Sequence, residues 1–232
     1  MLMKKLFYLL CIAVACISES CSNESEGLYS CNQAIDAWVR SNIQEIHLMT
    51  RADWLQADHN LQLPIYRAFT KEQKIEFWLE KILDVKRLDW TTDELKHISE
   101  VEYFIETHHD FFEEKGLSEN QENELEIFFY QWLKSGIEEF NWDERVAYAI
   151  VSSGYCLKNT KGELETSHTF QSSVENLTDR SENSTTPPCN CRVGHIFACF
   201  EGNDECKTID CDETDLGCGW LLLQDCNGKC GL

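Results

Sequence analysis

Residues 70–85 read TKEQKIEFWLEKILDV. Thr70 stands three residues before Gln73, the spacing of a capping box, in which two side chains satisfy amides that a helix start leaves without partners. Behind the cap, Ile75, Trp78, Leu79, Ile82 and Val85 recur at steps of three and four, so they share one face of a helix. The same grammar repeats downstream. Thr91 and Glu94 precede Leu95, Ile98, Val101, Ile105, His108 and Phe112; Ser118 and Gln121 precede Leu125, Phe128, Phe129, Trp132 and Leu133. A last short helix is expected to start near Asp143 and to carry Val146, Ile150 and Val151. Upstream, Ile35, Val39, Ile43 and Ile46 keep the helical period, and Leu63-Pro64 is expected to interrupt it. Four or five amphipathic helices with short polar joints predict an all-α helical bundle over residues 31–156, and about 120 residues suffice for a core. The aromatic residues at these spacings read as packing. Paired acids such as Glu113-Glu114 read as a solvated face.

The segments outside this domain have other characters. Residues 1–20, MLMKKLFYLLCIAVACISES, place Lys4 and Lys5 before an apolar run from Leu6 to Ile17. This is the pattern of a secretory signal peptide, shorter than the ~20 apolar residues of a membrane-spanning helix. Cys21 is the expected acylated residue of a lipoprotein signal, followed by an acidic tether over 21–30. Cys16, after Ala13-Val14-Ala15, is the alternative, and plain cleavage after Ala15 without a lipid is a third reading. Residues 157–188 form a polar linker, with a short hairpin near its start.

The remaining residues, 189–232, form a small disulfide-rich C-terminal module with Cys189, Cys191, Cys199, Cys206, Cys211, Cys218, Cys226 and Cys230. Behind an export signal, eight cysteines in so short a segment imply four disulfides, whose pairing the sequence leaves open. Acylation at Cys21 leaves an even set for pairing, in which Cys31 and Cys156 flank the helices. A bridge between them would close a loop of about 125 residues and stabilise by ~4–5 kcal/mol. A zinc site from Cys189, Cys191, His195, Cys226 and Cys230 lacks the usual Cys-x2-Cys pairs. Trp220 to Leu223 is the module's strongest apolar run. It reads as a strand in a miniature core, or else as a partly exposed Trp220 that serves as a recognition anchor.

Charge and motif narrow the function. The formal net charge is −21, which repels nucleic acid and anionic bilayers, so no nucleic-acid partner is expected. Glu94-x-x-His97 and Glu106-x-x-His109 lie on one helix about 18 Å apart, too far to share a metal pair. His108-His109-Asp110 offers at most a weak surface site. No catalytic motif occurs, so neither an enzyme nor a cofactor is expected.

The cysteine ladder resembles the bacteriocin fulvocin C-related family of Bacteroidetes lipoproteins. The resemblance rests on Cys189-Asn190-Cys191, Gly217-Cys218-Gly219-Trp220 and Cys226-Asn227-Gly228, and on Leu63-Pro64-Ile65-Tyr66-Arg67 followed by the helix at Trp78-Leu79-Glu80-Lys81. It implies an exported, lipid-anchored protein of the outer membrane or cell surface with an antibacterial role. Two departures matter. The module carries eight acids against three bases, and it is joined to a helical domain of over 100 residues. Cationic charge is what brings membrane-active peptides to lipid, so an envelope protein or glycan receptor is the expected target. The alternative expectation is a non-toxic envelope binding or adhesion lipoprotein.

Overall fold

A computed structural model describes residues 29–165, 191–199, 205–208 and 214–230. The signal peptide, Cys16, Cys21, most of the acidic tether, most of the linker, Cys189 and Cys211 lie outside the described residues. The described chain is mostly helical. It runs through α1 (Gln33–Ser41), α2 (Ile43–Ile46), α3 (Arg51–Gln56), α4 (His59–Ala68), α5 (Lys71–Lys86), α6 (Thr92–Thr107), a 3-10 turn (His109–Phe112), α7 (Glu119–Phe140) and α8 (Glu144–Val151). None of these helices is long and apolar enough to cross a membrane.

Side-chain caps set most helix starts. The expected boxes at Thr70, Thr91 and Ser118 all form, and Asp143 caps α8. Thr50 and Asp53 build a further box at α3, and Asp58 caps α4. Pro64 does not interrupt: it sits inside α4. Its missing N–H costs one helical bond, to the carbonyl of exposed Asn60, while buried neighbours hold the rest of the helix in place.

Helix α5 is central. Its buried face is Lys74, Phe77, Trp78, Lys81, Ile82 and Val85. The Phe77 ring meets Trp54 at 5.0 Å, Tyr66 at 5.2 Å and Trp78 at 5.7 Å, each edge-on. A second aromatic group joins α6, α7 and the turn before α8, where His97 stacks on Trp132 at 5.0 Å and Trp142 adjoins both.

Beyond α8, β1 (Cys156–Leu157) and β2 (Leu164–Glu165) form the expected hairpin. In the module, β4 (Thr214–Cys218) pairs antiparallel with β5 (Gln224–Cys226), and β3 (Lys207–Thr208) pairs antiparallel with β6 (Gly228–Lys229). Disulfides join Cys191–Cys206, Cys199–Cys230 and Cys218–Cys226, with Cα separations of 6.0, 5.3 and 5.4 Å. The expected Cys31–Cys156 bridge is not formed. Cys31 packs beside Cys218 and Cys226, whereas the Cys156 thiol lies next to Arg51 and Asp84. The chain ends that flank the helices therefore diverge to different partners.

Residues 220–222 form a 3-10 turn rather than a strand, with Leu221 and Leu222 at φ of 51° and 53°. This turn connects β4 to β5. Its left-handed residues are strained, and burial of Leu221 offsets that strain. Trp220, Leu221, Leu223 and Phe197 belong to the same continuous core as the helices, so among the described residues the module's apolar run packs into the helical core rather than into one of its own.

Candidate functional site

The module is docked on the helical domain through the segment Leu63-Pro64-Ile65-Tyr66-Arg67. Tyr66 is fully buried; its hydroxyl accepts from Trp78 Nε1 at 2.9 Å and donates to the Leu221 carbonyl at 2.8 Å. Burial pushes that phenol far above its ordinary pKa, so it stays a donor. Arg67 reaches the Leu216 carbonyl at 2.6 Å, the Tyr29 carbonyl at 2.9 Å and Cys226 Sγ at 3.1 Å. Burial lowers its pKa to about 10, with the Cys31 sulfur opposing, so it remains a cation at neutral pH. Gly217 makes this approach feasible. It has φ +112°, and a Cβ there would stand 2.7 Å from Arg67 Nε.

Trp220 is closed to any partner. It is 1% exposed, stacks on Phe129 at 5.2 Å and donates Nε1–H to Glu126 at 2.8 Å. The expected recognition anchor is thus an internal one, because the apolar run finds the α7 face before it can meet solvent. Glu126 also accepts from Gln224 at 2.8 Å and from Arg192 at 3.3 Å, and Arg192 bonds Glu122 as well.

Docking leaves a half-open cavity of about 310 Å³ along the joint. Trp54, His59, Gln62, Tyr148 and the 152–155 loop form the helical side; Arg192, His195, Phe197 and Leu222 form the module side. Gly154 lets the loop cross Trp54, since a Cβ there would lie 2.7 Å from the indole. Its carbonyl is held by Arg51 through Nε at 3.2 Å and Nη2 at 3.0 Å. The Tyr155 hydroxyl donates to Gln62 Oε1, so the His59 Nδ1 at 3.0 Å is the donor to that hydroxyl.

Two of these lining residues each hold a buried polar atom with no partner among the described residues: Ser152 Oγ and His195 Nε2. The Phe197 amide donates to His195 Nδ1 at 3.2 Å, which places the imidazole proton on Nε2. Burial, and secondarily the Arg192 charge, lower the His195 pKa to about 4, so the ring is neutral at physiological pH. A neutral ring whose lone pair is already occupied cannot take a proton from Ser152. His195 therefore does not serve as a base for Ser152.

The other sequence candidates are used structurally. His97 Nε2 contacts the Trp132 carbonyl at 2.9 Å, and Glu94 receives Trp142 Nε1 at 2.8 Å while it caps α6. His108 contacts the Phe104 carbonyl at 2.9 Å. Among the described residues, the group with metal-ligand proximity is Cys191, Cys199 and Cys206, whose sulfurs are in disulfides. The sequence reading missed His59, Gln62, Ser152 and Tyr155. The signal it could have used is Ser152-Ser153-Gly154 directly after the last helix, a break in period too polar to be core.

No protein-family model, curated protein or solved structure matches this chain.

Proposed function

We propose that this is an exported, lipid-anchored envelope protein that binds a ligand without catalysis, with the cysteine module as one wall of its site. The observation that carries this reading is the burial of Trp220, Leu221 and Leu223 in the core shared with the helices. A toxin that strikes with its stapled tail needs an exposed apolar or cationic contact surface. Here the apolar run is spent on docking, and the module is acidic. The helices then act as a bundle-like platform on which the module is clamped. The signal pattern and the disulfides both support export.

The test applies oxidised full-length protein, acylated and unacylated, to cells of related Bacteroidetes. The expected outcome is recovery of the protein at the cell surface with growth unimpaired. Growth inhibition at nanomolar to micromolar protein would overturn this reading in favour of the bacteriocin-like one, as would a reduced cytoplasmic form in the producing cell.

A further inference from the structure

Cys31 is a thiol buried against a disulfide: with Cys218 and Cys226 it forms a cluster of its own beside the main core, and Leu63 packs against it. The thiol belongs to the start of the helical domain and the disulfide to the β4–β5 hairpin, so the cluster spans the joint. The backbone around Cys31 is pinned. The Tyr29 N–H donates to Asp36 Oδ1 at 2.8 Å, the Asn32 N–H donates to Ser30 Oγ at 3.1 Å, and the Asn32 side chain caps α1. One buried cation serves the cluster. Arg67 donates Nη2–H to Cys226 Sγ at 3.1 Å, and it lies near enough to Cys31 for a thiolate there to raise the guanidinium pKa. A guanidinium beside a sulfur favours its thiolate, which is both the attacking and the leaving form in thiol–disulfide exchange. Each of the three cysteines is at most 5% exposed, which keeps outside thiols away and leaves Cys31 as the nucleophile at hand.

We propose that the Cys218–Cys226 bridge is exchangeable: the Cys31 thiolate attacks Cys218 Sγ, a Cys31–Cys218 bond forms as the Cys218–Cys226 bond breaks, and the electron pair leaves on Cys226 Sγ beside Arg67. The proton lost by Cys31 is balanced by the one that Cys226 takes up. The number of disulfides is unchanged, so the step needs neither oxidant nor reductant. Attack is assigned to Cys218 because Arg67 stands at the other sulfur, and the better-stabilised thiolate leaves faster. The exchange converts a bridge internal to the module into one between the module and the residue before the cap of α1. The joint then becomes covalent. This device goes beyond the binding reading above and does not depend on what the cavity takes.

The experiment maps thiols in the oxidised full-length protein. The protein is held at pH 8, denatured in mildly acidic buffer with excess N-ethylmaleimide and no reductant, and then cleaved before aspartates, because Asp225 separates Cys218 from Cys226. Cys156, a thiol in both forms, is the internal reference. Labelled Cys226, together with a peptide pair joining Cys31 to Cys218, is expected in about 1–10% of molecules, the range of a minor state. In Cys31→Ser both signals should vanish while the Cys156 label stays. Cys226→Ser removes the leaving sulfur, and in air it should carry the Cys31–Cys218 bond in most molecules, with dioxygen as the oxidant. A parent labelled at Cys31 but never at Cys226 overturns the proposal, as does a Cys226→Ser variant that keeps both thiols. Labelled Cys218 with Cys31 joined to Cys226 overturns the assigned direction of attack. Pairs between Cys31 and Cys191, Cys199, Cys206 or Cys230 would show general scrambling and would overturn the local exchange.

Discussion

Lys74 and Lys81 occupy positions on α5 where the period asks for apolar residues, and both are fully buried. Lys81 donates to the Tyr155 carbonyl, and burial beside Arg51 holds its pKa well below the ordinary value. Lys74 Nζ has no partner among the described residues; burial lowers its pKa to about 8, with Glu114 opposing. The unfolded chain therefore holds more protons than the folded one between pH 8 and 10.5, and stability rises with pH through that window. Below it, the protonated amine costs on the order of 3 kcal/mol. Lys74→Met is expected to raise stability by roughly that amount at pH 7, and the gain should vanish near pH 10. Urea titrations of both proteins at the two pH values check this; a destabilised variant at pH 7 would mean that the amine has a stabilising partner. These lysines also explain why the core face was only partly legible. A pattern that counts lysine as polar finds Trp78, Ile82 and Val85 but rotates the face toward Ile75 and Leu79, which are half-buried, and misses Phe77.

At the scale of elements, helix starts were readable because a cap is local chemistry: a hydroxyl and a carboxamide three residues apart need no distant partner. The hairpin after Cys156 was readable for the same reason. The 3-10 turn at 220–222 was not, since two leucines adopt positive φ only because β4, β5 and α7 enclose them. Nor was the docking of the module, which depends on residues far apart in sequence meeting at Glu126. Three donors converge on that carboxylate, from Trp220, Gln224 and Arg192. Glu126→Ala leaves the two buried donors unpaired and should cost ~2–4 kcal/mol of docking energy. Hydrogen exchange is the measurement: amides of 214–226 should exchange faster, with those of α5 and α6 unchanged. Gly217→Ala is expected to act similarly, by ~2 kcal/mol or more, because it combines a left-handed φ with a contact on Arg67. If Gly217→Ala melts like the parent, the Arg67 clamp is not what holds the module.

For the molecule as a whole, the cavity exists only while the module is docked, so its occupancy and the joint's stability are linked. The candidate site was illegible in the sequence because its two walls come from residues 54–63 and 148–155 on one side and 191–199, 217–222 and Cys230 on the other, and no local pattern announces their meeting. Only the cysteine count signalled that the second wall would be rigid. Acid tests the linkage. His195 is held near pKa 4 against its ordinary 6.5, so the neutral ring contributes stability that is fully present above pH 6.5 and is lost as pH falls toward 4. The size of that loss is on the order of 3 kcal/mol, at ~1.4 kcal/mol per unit. This chain carries 41 acidic side chains that also take up protons in acid, so the acid response of the parent alone does not isolate the histidine. His195→Phe does. The ring still packs between Phe197 and Trp220, at the fixed, pH-independent cost of the Phe197 amide bond. Thermal melts of parent and variant should differ at pH 7.5 by that fixed cost, and the difference should shrink or reverse by pH 4.5. A gap that stays constant across this range would show that His195 is not protonated on undocking, and would remove it as the joint's acid-sensitive element.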